Sequence, residues 1–335
     1  MRRLLTAGPK HSTVLAIGLL AVAGMFAPSS LKAGGAGDPA NQRKVFRELA
    51  AKPELVIELT SADCVVETGG GDRIRVQVVH SYAEDRYQVE VRERSGELLL
   101  RERFLRGSAP GFATWHLTVP DTTEVFFSTA SGDFDSTGDL TGLEARSATG
   151  RISVRDLAGR IDINTASAVV RLREVAGELS VTTASGDVEV DGFDGRLRLR
   201  TAAGDVELRD LAAEIEARTG AGRIQVSELR PTGECSFDSA AGDVEVGLAE
   251  TPAFDLTLSS ASGLAELDLK GNDAAGTFVF SALQNAGRIE SPFSFDRQET
   301  FVHAGQTYLR MTFRRGPALP RINLATGSGS ARLKR

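Results

Sequence analysis

Residues 150–230 read, in rows of nine, GRISVRDLA, GRIDINTAS, AVVRLREVA, GELSVTTAS, GDVEVDGFD, GRLRLRTAA, GDVELRDLA, AEIEARTGA and GRIQVSELR, without a gap. The frame runs backwards through TGLEARSAT (141–149), GDFDSTGDL (132–140) and TEVFFSTAS (123–131). Beyond 230 the rows lengthen, but Gly242, Gly263 and Gly287 keep the beat. At the end of the chain Ile322, Leu324 and Gly329 repeat the spacing of Leu179, Val181 and Gly186. Within a row the third and fifth residues are apolar, as in Ile152 and Val154, Ile161 and Ile163, Val188 and Val190, Leu197 and Leu199, and the fourth and sixth are mostly polar. A period of two is the mark of a strand with one buried face. Gly opens most rows, where a chain that bends every nine residues needs freedom from Cβ clashes.

The rows alternate in type. One ends near Leu157, Val175, Phe193, Leu211 and Leu229, and the other near Ala148, Ala166, Ala184 and Ala202 flanked by Thr or Ser, which predicts large and small corner fillers in turn. The structural unit is then eighteen residues, a coil of two short strands and two unlike corners. One such coil buries too few apolar side chains to offset the entropy of ordering it, so coils must stack and share a core. The expected architecture is an all-β, right-handed parallel β-helix, the hand following the usual preference of parallel crossovers.

Around that stack the sequence divides further. Residues 123–290 are the regular repeats, and 55–122, with RIRVQVV, YQVEVRE and ELLLRERF, predict wider β-coils of the same stack. Residues 291–335 predict a closing coil. Residues 41–52 (NQRKVFRELAAK) place Val45, Phe46, Leu49 and Ala50 on one helical face before Pro53, and predict a short N-terminal cap helix within a linker spanning 34–54. Residues 1–33 carry Arg2, Arg3 and Lys10, then the apolar run VLAIGLLAVAGMFA, then small residues, the layout of a secretory signal peptide. Its fourteen apolar residues would span about 21 Å as helix, short of a bilayer core of about 30 Å, so no stable membrane span is expected after cleavage.

The formal charge of −6 includes that basic leader. Without it the chain is more acidic still, which argues against nucleic acid or anionic lipid as partners. The two cysteines, Cys64 and Cys235, fall at interior positions several coils apart, too far for a disulfide, and predict buried free thiols.

Catalytic chemistry is hard to find. Asp133, Asp187, Asp205 and Asp243 follow row-opening glycines and would align along one corner, a cluster that a lyase or hydrolase could use. Arg151, Val169 and Arg223 interrupt that row, and Asp beside Gly in a turn commonly bonds local backbone. The sixth residue of each row runs Arg155, Asn164, Arg173, Thr182, Asp191, Arg200, Arg209, Arg218, Ser227, which excludes the calcium ladder of nonapeptide toxin repeats. A nine-residue period also excludes hexapeptide helices and leucine-rich repeats. His80, His116 and His303 lie far apart with no nucleophile signature, and no His or Cys recurs at metal-ligand spacing. One Trp and three Tyr are few for a processive polysaccharide enzyme. Outward positions alternate in sign, with Arg171 above Glu189, Arg173 above Asp191 and Arg198 above Glu216. A basic tail of Arg310, Arg314, Arg315, Arg321, Arg332, Lys334 and Arg335 could meet an acidic polymer.

STASGDFDSTGDL (128–140), TTASGDVEVDGFDG (182–195) and DSAAGDVEV (238–246), with the ending GRIESPFSF (287–295) and GPALPRINLATGSGSARLKR (316–335), resemble the bacterial putative-adhesin β-strand repeat family over about residues 55–335. The resemblance implies a single-chain β-helix at or beyond the cell envelope, with no catalytic residues to carry over. Ala168 departs from it by standing at a row-opening glycine position. The expectation is a non-enzymatic secreted or cell-envelope protein, periplasmic, surface or extracellular, acting as adhesin, scaffold or envelope-stress module. It needs no cofactor and no metal, is a monomer, and has an envelope or extracellular partner, protein or polysaccharide. The alternative is a carbohydrate-active β-helix enzyme using the Asp corner.

Overall fold

The computed structural model describes residues 42–69, 71–107 and 110–335; the leader 1–33 lies outside them. The described residues form strands and no helix. In chain order the first are β1 (Arg43–Ala50), β2 (Glu54–Glu58), β3 (Asp63–Thr68), β4 (Arg73–His80), β5 (Tyr87–Glu93), β6 (Glu97–Phe104) and β7 (Ala113–Val119). The repeats supply β8 (Glu124–Thr129), β9 (Phe134–Thr137), β10 (Gly142–Ser147), β11 (Arg151–Thr165), β12 (Val169–Thr183), β13 (Val188–Thr201), β14 (Val206–Thr219) and β15 (Ile224–Ser239). The rest are β16 (Val244–Leu248), β17 (Leu256–Ser260), β18 (Ala265–Asp268), β19 (Gly276–Leu283), β20 (Arg288–Glu290), β21 (Arg297–His303), β22 (Gln306–Arg315), β23 (Arg321–Thr326) and β24 (Ser330–Lys334).

β11 to β15 are double-length because each holds two rows and bends between them. Pairing is parallel with an offset of eighteen residues: Ile152, Val170, Val188, Val206 and Ile224 are successive partners, as are Ile161, Leu179, Leu197 and Ile215. The first rows continue into one face, here called the back, and the second rows into the front. The front runs β5, β6, β2, β8, β10, the second rows, β17, β23, β19, β22, β21. The back runs β1, β4, β7, β3, β9, the first rows, β16, β18, β24, β20. Between the faces lies one continuous core. Ile152, Ile161, Val188 and Leu197 are all 1% exposed. Burial of each such side chain contributes about 1.5–3 kcal/mol.

The bend inside each long strand places Asp156, Glu174, Asp210 and Glu228 at φ between 49° and 57°, with Gly138 and Gly192 in the same column. Left-handed backbone costs a non-glycine residue roughly 1–2 kcal/mol. The large fillers just after it, Leu157, Val175, Phe193, Leu211 and Leu229, are buried, and that packing holds the bend. At the opposite corner the small filler is a hydroxyl residue and not the expected alanine. Ala148, Ala166, Ala184 and Ala202 are exposed, whereas Thr183, Thr201, Thr219, Ser239, Ser260 and Thr326 are buried. Each of these hydroxyls accepts the N–H of a glycine three residues on, from Thr183 with Gly186 at 2.9 Å to Thr326 with Gly329 at 3.0 Å. Ser239, Ser260 and Thr326 also donate to the carbonyl of the glycine one layer back, at 3.0, 2.8 and 3.1 Å. A column of hydroxyls therefore joins each turn to its neighbour.

Thr219→Val keeps the shape and removes the hydroxyl, leaving the Gly222 N–H unpaired in the interior. The expected loss is about 1–3 kcal/mol. Urea unfolding should show it, while Thr182→Val on the exposed side of the same corner should stay within about 0.5 kcal/mol of the parent.

Ala168 marks a change of turn. Before it the Ser147 hydroxyl donates to Thr149 O; from Thr165 onward the hydroxyl accepts the N–H three residues on, Ala168 N–H included, at 2.9 Å. The preceding Gly150 has φ of 113°, a conformation that Gly186, Gly204 and Gly222 do not share.

Two further features differ from the sequence expectation. The cap helix over 41–52 is instead β1, paired antiparallel to β4 along its whole length, from Arg43 opposite His80 to Ala50 opposite Arg73. The open edge of β4 offers a full set of backbone partners, which outweighs local helical preference. Phe46 is left exposed. Within 291–335, only the β21–β22 hairpin lies at the end of the stack. β23 and β24 are one layer further in, with Ile322 between Leu256 and Phe278. Glu266, 4% exposed, holds β24 through Arg332 at 3.3 Å and Lys334, and Arg332 also reaches Glu290 at 2.7 Å.

Candidate functional site: an uncharged trough at the C-terminal end

The Asp corner is occupied by backbone. Asp133 Oδ1 accepts the N–H of Arg151 at 2.9 Å, Asp187 Oδ1 that of Asp205 at 3.0 Å, Asp205 Oδ1 that of Arg223 at 2.8 Å and Asp243 Oδ1 that of Leu264 at 2.8 Å. Each carboxylate thus ties its layer to the next, and Arg151 pairs with Asp133 at 3.0 Å. Sequence places these residues in one column correctly, and the column serves register. Among the described residues no three His, Cys, Asp or Glu side chains converge as a metal site.

The outward charges also pair between layers. Arg171 meets Glu189 at 3.2 Å on the back face; Arg196 meets Glu214 at 2.9 Å and Arg198 meets Glu216 at 3.2 Å on the front. Arg173 and Asp191 are register partners. Hydrogen bonds from Arg200 and Arg198 hold the Glu216 carboxyl below the usual carboxylate range against a smaller opposing effect of burial. Such pairs at a wet surface contribute about 0–1 kcal/mol. The basic tail divides instead of forming one patch: Arg332 and Lys334 are neutralised by Glu266 and Glu290 on the back, while Arg310 pairs with Glu299 on the front at 3.5 Å and Arg315 lies over Phe293.

Cys64 and Cys235 are both buried and free. Burial pushes the Cys64 thiol up strongly and the Cys235 thiol up to about 12. Neither suits a nucleophile. His80, His116 and His303 stay apart: His116 is exposed on β7, His303 ends β21, and His80 is 4% exposed at the N-terminal end.

His80 belongs to an aromatic cluster, 4.6 Å from the Tyr87 ring, with Tyr82 and Phe104 adjoining; the Trp115 indole N–H donates to the Tyr87 hydroxyl at 3.2 Å. Glu102, also buried, accepts the N–H groups of Thr60 and Ser61 at 2.7 and 3.1 Å. Burial, and next the Arg43 charge, lower the His80 pKa; the Tyr82 carbonyl and Glu84 oppose them more weakly. The unfolded chain therefore binds the extra proton first. Stability from this residue is complete above about pH 6.5 and falls as pH drops below that value. His80→Phe keeps a ring without a proton site, so its melting temperature should decline less than the parent's between pH 7 and pH 5.5. Equal declines would contradict this account of His80.

A concavity with a largely apolar lining lies at the other end. β17, β23, β19, β22 and β21 are adjacent on the front face, and their outward residues Ser259, Ala325, Ser281, Arg310 and Glu299 form one row across five strands. The first three are small and make a floor. Leu283, Phe301 and Tyr308 stand along its side, with His303 and Gln306 at the tip of the hairpin, around a cavity of about 650 Å³. Phe301 and Tyr308 are cross-strand partners with ring centroids 5.5 Å apart and planes 23° apart. The Arg310 guanidinium lies 4.2 Å from the Phe301 centroid and fixes that ring. Among the described residues, no Asp, Glu, Lys or Arg lines the cavity. Its size suits a small ligand. Sequence could not reveal it, because the residues come from five strands spread over 259–328 and carry no shared motif.

The model of the Toastrack DUF4097 family matches residues 53–280. The chain belongs to that family. The motifs at 128–140, 182–195 and 238–246 lie within the matched span, and the adhesin-like β-strand repeat resemblance holds. Among solved structures, a "putative lipid binding protein" from Parabacteroides distasonis is 16% identical, with 66% of this chain and 95% of that one covered and a TM-score of 0.44. A "putative adhesin" from Bacteroides fragilis is 16% identical over 64% and 93%, with a TM-score of 0.34. A "putative cell adhesion protein" from Clostridium sporogenes is 8% identical over 87% and 99%, with a TM-score of 0.22. No curated protein matches the chain. This Toastrack chain, within its described residues, has no helix long and apolar enough to cross a membrane.

Proposed function

We propose that this Toastrack chain is a non-enzymatic, adhesin-like binding module exported to the cell envelope, wound as a right-handed β-solenoid whose rigid faces present a recognition surface. The observation that carries the proposal is the fate of the chemical groups. The Asp column is bound to backbone, the cysteines are sealed in the core, and the outward ions are mostly paired with one another. The trough, by contrast, is lined by side chains left open to a ligand. An enzyme would need Asp187 and Asp205 free to handle protons, and both hold the next layer. The partner is an envelope polysaccharide or protein, not nucleic acid, bound by a monomer without cofactor. Export follows from the leader at 1–33, and the adhesin-like family resemblance accords with it.

Immobilised residues 34–335 should retain a defined component from envelope fractions and release no fragments from envelope polysaccharides. Fragment release abolished by Asp187→Ala or Asp205→Ala would overturn the non-enzymatic assignment.

A further inference from the structure

Resting on the binding-module proposal, we infer that the C-terminal trough is a binding site for a neutral saccharide unit. Charge is the first reason. One residue in four of this chain is charged, yet the trough is lined by none. The two ions of its row, Arg310 and Glu299, pair with each other, and Arg310 is turned onto Phe301. An ionic ligand would find no counter-charge there, so a sulfated or uronic acid unit is disfavoured.

The second reason is the kind of uncharged surface. A sugar ring presents an apolar face of C–H groups and an equator of hydroxyls. Phe301 and Tyr308, nearly parallel and half-buried, supply an aromatic wall for the face. The Tyr308 hydroxyl, Gln306 and His303 at the rim, and Ser259 and Ser281 on the floor, supply donors and acceptors for the equator. The floor stays low because Ser259, Ala325 and Ser281 are small where three strands abut. The deeper hydroxyls of Ser260 and Thr326 are engaged by their turns, at 2.8 and 3.0 Å, so they fix the floor and leave recognition to the outer set. An acyl chain is the poorer occupant, because a lining that mixes serines, Gln and His leaves polar groups unpaired against hydrocarbon.

Affinity electrophoresis tests this with the mature chain. Gels containing galactomannan, laminarin or dextran are compared with gels containing polygalacturonate, and flotation with phosphatidylcholine vesicles serves as the lipid arm. At least one neutral polymer should retard the chain. Tyr308→Ala, Phe301→Ala and the trough-filling Ser281→Trp should each weaken retardation tenfold or more, while Arg198→Ala on the distant front face should not; thermal melts establish that each variant is folded. Retardation by none of the neutral polymers, by polygalacturonate alone, or equally in folded Ser281→Trp would overturn the saccharide site, as would vesicle binding without polymer binding. If Ser281→Trp still retains the envelope component captured by the parent, the binding module stands and the trough assignment falls.

Discussion

Gly222→Val is expected to yield a chain that does not reach the native fold at 37 °C. A Cβ built on Gly222 would lie 1.9 Å from the carbonyl oxygen of Gly204 and 2.6 Å from its carbon. These are backbone atoms of the layer below, held by the Thr201 and Thr219 hydroxyls on either side, and they cannot step aside without breaking the register of the stack. Gly204 stands in the same relation to Gly186, and Gly242 to Gly222, so a shift propagates. A cost of about 4 kcal/mol or more is expected, against a total stability of roughly 5–15 kcal/mol for a typical domain. Gly271→Ala is the control. That residue has φ of 82° but nothing within 4 Å of its would-be Cβ, so only local backbone strain of roughly 1–2 kcal/mol applies. Urea midpoints that rank the two variants the other way would refute the close-approach account of the glycine column.

Phe313→Ala should cost about 3–5 kcal/mol, the usual range for removing a fully buried aromatic ring. Phe313 is 1% exposed and stacks on Phe278 at 4.7 Å with planes 9° apart, and Phe280, Phe293 and Phe295 pack around it. This cluster plugs the C-terminal end of the core, where a stack would otherwise present its interior to water. In a solenoid the layers depend on their nearest neighbours, so the damage should begin at that end. Hydrogen exchange should accelerate first in β19, β21 and β22, with β11 to β14 protected longer. Uniform acceleration along the chain would show that the layers do not act as separable units.

The repeats were legible because every layer obeys the same two rules, alternation of apolar and polar residues and a glycine at fixed spacing. Ile322, Leu324 and Gly329 obey them too, which is why the return of the pattern at the end of the chain was visible although its insertion beside Leu256 was not. Register between distant strands is a tertiary choice, decided here by the fit of Gly329 against Gly263 and of Arg332 and Lys334 against Glu266. Val45, Phe46, Leu49 and Ala50 fit the period of a helix and not that of a strand, which is why the segment reads as a cap helix; in β1 Val45 and Leu49 turn toward the core and Phe46 and Ala50 away from it. The edge of β4 settled the matter. The buried hydroxyl residues adjoin the exposed alanines in every second row, and both are small, so local pattern does not say which of the two fills the corner. The Asp column is legible as an aligned row, but its carboxylates accept N–H groups of the next layer, where the Asp-Gly turn pattern predicts bonds to local backbone. The trough depends on which outward side chains five non-consecutive strands bring together, information that no local pattern carries.

The central claim is that each layer rests on the one eighteen residues before it, with two separate faces around a shared core. Paired cysteines test it most directly, since Cys64 and Cys235 are sealed and silent. Arg171 and Glu189 are outward register partners on the back face, and neighbouring strands bring such Cα atoms to about 4.8 Å, within disulfide reach. Arg198 lies on the front face, across the core. Mild oxidation should link Arg171→Cys with Glu189→Cys within one chain and leave Arg171→Cys with Arg198→Cys reduced; a link in the second pair, with none in the first, would contradict the layered architecture.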